Sequence, residues 1–147
     1  EVFTPLLREA GKGGIINVAS AAGFAAAPSM AAYNVSKAGV MSLSETLAAE
    51  LDGTDVAVTV LCPTFVKTNV FTDGRITPGS MSLSQQLARW TGLSADNVAA
   101  RTLDAHDGGR LYVVPQLDAT VIWHLKRHFP ALYVRGAGLL GRVLPKD

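Results

Sequence analysis

The sequence carries one cysteine, Cys62, in 147 residues. That excludes an internal disulfide framework and a four-cysteine metal site. A lone thiol fits a reducing, cytoplasmic compartment. Charge is scarce too, at 17% of residues and a formal net charge of +1. This balance excludes a nucleic-acid binder that works through a broad basic surface. A hydrophobic content of 48% excludes a disordered chain. No uncharged apolar run reaches the roughly 18 residues of a membrane span. Glu1-Val2-Phe3-Thr4-Pro5 lacks the basic start and apolar core of a secretory leader. An initiator Met is missing as well.

What is present reads as alternating strands and helices. Residues 2–10 resemble the end of a helix, stopped by Gly11-Lys12-Gly13-Gly14. Residues 15–19 (Ile-Ile-Asn-Val-Ala) do not alternate apolar with polar, so they predict a strand buried on both faces. Residues 20–28 form a loop of small side chains. A long helix is predicted from Ser29, with Ala32, Val35, Gly39, Leu43, Leu47 and Leu51 recurring on one face. Residues 56–61 predict a second buried strand, stopped by Cys62-Pro63. Strand, helix, strand implies a parallel pair. Residues 69–80 are a polar loop, and helices are predicted at 83–90 and 95–105. Residues 110–114 predict a third strand, and 117–129 an amphipathic helix ended by Pro130.

The chemistry sits at the start of the long helix. Tyr33 and Lys37 stand four residues apart, one above the other on a helix face. A free tyrosine, with a pKa of about 10, is a poor base, but a neighbouring ammonium favours the phenolate. Such a pair can pass a proton to or from a substrate oxygen. Ser20 lies at the C-terminal end of the preceding strand, where ligands bind in parallel α/β sheets. Its hydroxyl can stabilise charge developing on a carbonyl oxygen.

Three segments carry a family resemblance. They are Asn17-Val18-Ala19-Ser20-Ala21-Ala22-Gly23, Tyr33-Asn34-Val35-Ser36-Lys37 and Cys62-Pro63-Thr64-Phe65-Val66-Lys67-Thr68. In order and spacing they resemble the non-extended branch of the short-chain dehydrogenase/reductase family. The likeness is clear from about residue 6 to residue 70 and fades beyond. It implies an α/β fold, the C-terminal part of a doubly wound, Rossmann-like parallel sheet. It implies NAD or NADP as cofactor, and hydride transfer between an alcohol and a ketone or aldehyde. Tyr33 would be the acid/base, Lys37 its partner and a ligand of the nicotinamide ribose, and Ser20 the group that polarises the substrate. Pro63, Thr64, Val66 and Thr68 would line the nicotinamide. Ala22, Phe24, Met30 and Phe65 would face a small-molecule carbonyl or alcohol substrate, apolar and bulky, and residues 69–93 would form its lid. A homodimer or homotetramer is expected by the same resemblance. Thr64 stands where the family usually has Gly, and Ala19 where it often has Ser.

The glycine-rich phosphate-binding turn and the helical Asn of the family have no counterpart in these residues. The 147 residues therefore read as the C-terminal portion of one domain. They comprise the motifs at 17–37, the loop at 62–68, the lid at 69–93 and an amphipathic tail at 117–147. A start codon at residue 1 would contradict that expectation. Such a chain alone is expected to bind NAD(P)H poorly and to turn nothing over.

Other readings stand beside this one. Tyr-x-x-x-Lys also occurs in the extended branch, among epimerases and dehydratases; turnover of a sugar nucleotide rather than a ketone would favour it. A non-catalytic, cofactor-sensing protein on the same fold is a further alternative, opposed by the joint presence of Ser20, Tyr33 and Lys37. His124 and His128 have metal-ligand spacing, but flank Lys126 and Arg127 and read as a solvated basic face. Cys62 reads as a small core residue. The basic tail can pack on the domain or a partner copy, cover the substrate pocket, or touch an anionic membrane surface.

Overall fold

Val56-Ala57-Val58-Thr59-Val60-Leu61 forms the strand around which the rest is arranged. A computed structural model of the chain describes residues 2–67 and 92–143. In chain order the elements are α1 (Phe3–Ala10), β1 (Gly13–Val18), α2 (Ala22–Ala25), α3 (Ala31–Glu50) and β2 (Val56–Leu61). They continue with β3 (Val66–Lys67), β4 (Leu93–Ser94), α4 (Ala95–Asp107), β5 (Tyr112–Val113), α5 (Leu117–His128) and α6 (Pro130–Val143).

β2 lies between β1 and β5 and is parallel to both. The register runs from Gly13 opposite Val56 to Val18 opposite Leu61. Side chains of a strand alternate between faces. Val56, Val58 and Val60 meet α1 and α3 through Leu7, Leu47, Leu51 and Met41. Leu61 packs on the other face with Val98 and Ala105 of α4. Thr59 shares that face, where its hydroxyl donates to Arg110 O (2.8 Å) and pairs with His106 Nδ1 (2.8 Å). Helices therefore cover both faces of a parallel sheet. This is the expected α/β architecture, a doubly wound, Rossmann-like arrangement.

Two sequence expectations need correction. β1 is not buried on both faces: Ile16 is 37% and Val18 58% exposed. Among the described residues β1 pairs with β2 alone, and α4 meets it at its start. There the His106 ring occupies the space that a Cβ on Gly14 would need. The apolar row chosen on the long helix faces outward over its first half, where Val35 is 72% and Leu43 53% exposed, and turns into the core only at Leu47 and Leu51. The inner row is Lys37, Ala38, Met41, Ser44 and Ala48. Small and polar residues occupy it because β1 and α2 approach closely. Ser44, fully buried, accepts from Asn17 Nδ2 (3.0 Å) and donates to Val40 O (2.7 Å).

β2 agrees with its predicted bounds, and α4 and α5 do so to within a residue or two. The third strand shrinks to Tyr112–Val113. Three features had no prediction: the single turn α2, the short parallel pair β3–β4, and α6. Pro130 ends α5 and then serves as the first residue of α6, a position where its missing N–H costs nothing. The helix predicted at 83–90, Thr68 and the lid up to residue 91 lie outside the described residues.

Candidate active site

β1 and β2 end side by side, and the backbone pairing runs on past both. Ala19 N–H donates to Leu61 O (2.8 Å), and Ala21 N–H to Pro63 O (2.9 Å). This draws the loop after β1 onto the loop after β2, at the carboxyl end of the sheet. Ser20 sits in that seam and is 9% exposed. Its Oγ accepts from Ala22 N–H (3.1 Å) and lies 3.5 Å from Pro63 O.

α2 holds the loop against α3. A Cβ on Gly23 would come within 2.8 Å of the Lys37 backbone carbon and of Met41 Sδ. Only glycine allows this approach, which fixes the distance between the Ser20 loop and the helix bearing Tyr33 and Lys37. Asn34 Nδ2 donates to Ala27 O (2.8 Å) and closes the loop from its other side. Ala26 and Ser29 hold left-handed conformations there, with φ of 52° and 63°.

Tyr33 and Lys37 occupy the first two turns of α3, with Lys37 Nζ 5.8 Å from the Tyr33 ring centroid. The ammonium donates to Val18 O (3.2 Å), the last residue of β1. The helix is thereby tied to the strand that leads into Ser20. Tyr33 is 43% exposed and open to a ligand.

The second loop is fastened from a distance. Thr64 N–H donates to Gln116 Oε1 (3.1 Å), and Gln116 Nε2 donates to Phe65 O (3.0 Å). Thr64 Oγ1 donates to Asp118 Oδ1 (3.3 Å). Gln116 is 4% exposed and gives α5 no side-chain cap; both ends of its amide serve the loop. Sequence reasoning missed Gln116, because nothing around a Gln between a Pro and a Leu marks such a role. Thr64 takes the place of a glycine in the family pattern, and its side chain is used by this same clamp.

The other sequence candidates are spread more widely. Val66 lies in β3, opposite Leu93 of β4, so the chain returns beside this loop at the end of the segment expected to be a lid. Phe65 is half-buried, and Met30 is exposed just before α3. Ala22 opens α2. Phe24 packs edge-on to Trp123 of α5, ring centroids 4.9 Å apart, and thus belongs to the core. Trp123 also meets Tyr112, whose hydroxyl donates to Glu45. Cys62 is fully buried between the two loops, and burial pushes its thiol up to about 12. His124 and His128 stack on the exposed face of α5, 6.1 Å apart. Among the described residues no group of three or more His, Cys, Asp or Glu could hold a metal.

Comparison with known proteins agrees with this arrangement. Residues 1–78 match the family model described as short chain dehydrogenase. The chain belongs to that family. A curated relative, 1-deoxy-11-beta-hydroxypentalenate dehydrogenase of Streptomyces avermitilis, is 32% identical over 118 residues, covering 80% of this chain and 41% of the relative. A short-chain dehydrogenase/reductase from Burkholderia phymatum, solved with NAD, is 32% identical with a TM-score of 0.73, over 89% of this chain and 53% of that one. Another from Burkholderia cenocepacia, solved with NADP, is 27% identical with a TM-score of 0.69, over 90% of this chain and 50% of that one. The chain thus spans about half the length of these solved relatives, and less than half of the curated one.

Proposed function

We propose that this chain carries the proton-transfer half of an NAD(P)-dependent oxidoreductase that interconverts a secondary alcohol and a ketone, or a primary alcohol and an aldehyde. The observation that carries it is the placing of Tyr33 over Lys37 at the carboxyl ends of β1 and β2, next to the Ser20–Pro63 seam.

The donor set fits the nicotinamide end of such a cofactor. Lys37 has three N–H donors and spends one on Val18 O, leaving two for the ribose hydroxyls. The nicotinamide supplies or accepts the hydride when bound. The chain's own residues handle the proton. In reduction, Tyr33 Oη gives its proton to the substrate oxygen as negative charge builds there. The Lys37 ammonium stabilises the phenolate left behind. Ser20 Oγ, at a long 3.5 Å from Pro63 O, can turn its proton to the same substrate oxygen and hold it. Oxidation reverses each step. Pro63, Thr64, Val66 and Thr68 line the nicotinamide side, with Gln116 and Asp118 fixing the backbone at Thr64 and Phe65. Met30, Phe65 and Ala22 contribute to an apolar substrate wall, and residues 69–93 to its cover.

This activity requires the longer protein, because the residues that cradle the dinucleotide phosphates have no counterpart here. Alone, the chain binds NAD(P)H weakly. In the cell we place the protein in the reducing cytoplasm as a homo-oligomer. The test is ketone-dependent NAD(P)H oxidation by the full-length protein and its Tyr33→Phe variant. A loss of about a hundredfold or more in kcat is expected. A variant that keeps full activity overturns the assignment.

A further inference from the structure

Beyond Asp118, which Thr64 Oγ1 engages, the C-terminal arm carries only cations as far as Asp147. From residue 119 to residue 146 stand five Lys or Arg and two His, with no Asp or Glu. Two of the cations are already engaged: Lys126 donates to Phe24 O, and Arg127 lies 5.3 Å over the Trp123 ring. Arg135 and Arg142 of α6 are exposed.

The contacts of α6 settle which face is held by the body. Tyr133 Oη donates to Ala25 O (2.7 Å), and a Cβ on Gly141 would lie 3.1 Å from Pro28 Cβ. Tyr133, Ala137 and Gly141 follow one another at one-turn spacing and form the partly buried row. Leu132 and Leu139 lie opposite that row, with Leu140 and Val134 on its two flanks, each 60–69% exposed. Leu132 and Leu139 are two turns apart, as are Arg135 and Arg142, so a leucine row and an arginine row run side by side.

We propose that this face of α6 docks on an anionic lipid bilayer. Apolar side chains edged by arginine, on a helix that holds no acid, match acyl chains beneath a negative headgroup layer. A second copy fits worse. An isologous contact would set arginines against arginines with no carboxylate to answer them. α6 has 14 residues, about 21 Å of helix, so it lies along the surface rather than through the bilayer. It also holds the Ala25–Pro28 segment, which ties the docking face to the loop that precedes Tyr33. The proposal stands apart from the catalytic reading, since it needs neither cofactor nor turnover.

The test is sedimentation of the full-length protein with vesicles of about three parts phosphatidylcholine to one part phosphatidylglycerol, against phosphatidylcholine alone. Binding is expected to the anionic vesicles only, and to weaken roughly tenfold or more on going from low to about 0.5 M salt. Arg135→Glu with Arg142→Glu, and separately Leu132→Ser with Leu139→Ser, should each weaken it by a similar factor. Both pairs are exposed, so an unchanged circular dichroism spectrum shows that the fold survives. No binding to anionic vesicles, equal binding to neutral ones, or binding indifferent to both pairs overturns the proposal. So does a dimer that the leucine variant dissociates while vesicles go unbound, which gives the face to a second copy.

Discussion

The junction of β1, β2 and α3 and the α5–α6 arm are built in opposite ways. At the junction, backbone meets backbone: Ala21 N–H reaches Pro63 O, and Gly23 leaves no room for a Cβ against α3. Beyond the packing of Ala119 and Trp123, the arm touches the body through the ends of long side chains, Gln116, Lys126 and Tyr133, and leaves the leucines of α6 exposed. A site that must hold a proton donor to fractions of an ångström needs the first kind of contact. A segment that fastens loops and offers a surface can work with the second. Substitutions at the junction should therefore cost more stability than substitutions in the arm.

The largest effect is expected at Gly23. Gly23→Val forces side-chain carbons into the α3 backbone and should lower unfolding free energy by about 3 kcal/mol, measured in denaturant. A loss no larger than those in the arm would break the contrast. Gln116→Ala comes next, at about 2 kcal/mol, because Thr64 N–H and Phe65 O both lose their partner.

Cys62 sharpens the comparison through pH. Its thiol ionises near 9.0 when unfolded and at about 12 when buried in the seam. Between those values the unfolded chain binds fewer protons than the folded one, so stability falls as pH rises. The slope is about 1.4 kcal/mol per pH unit, and below 9 the effect is absent. Denaturant midpoints at about pH 8 and pH 10.5 should diverge in the parent chain and less so in Cys62→Ala. Equal divergence in both would mean that the seam opens to water. The smallest effect is expected from Tyr133→Phe, about 1 kcal/mol for one hydrogen bond to Ala25 O.

Most of the junction was legible in the sequence. The branched apolar run at 56–61, the glycines around β1 and the Tyr33–Lys37 spacing each act locally, through backbone preference and helix period. The errors came where two local solutions were equally good. α3 has apolar residues on two sides, and periodicity does not say which side meets the sheet. Ile16 and Val18 have the composition of a buried strand, but burial depends on what lies beside them. α6 follows a proline that reads as an end and acts as a start.

The sequence by itself determined the α/β class, the parallel order of β1 and β2, and the placing of Tyr33 and Lys37 one helical turn apart. These follow from side-chain chemistry at short separation along the chain. The tertiary structure alone decided that Gln116 and Asp118 grip Thr64, 52 and 54 residues away. It also decided that Gly23 sets the gap between Ser20 and Lys37, and that the outer face of α6 pairs leucine with arginine. Such contacts join residues far apart in the chain, and the propensities of neighbouring residues carry no trace of them.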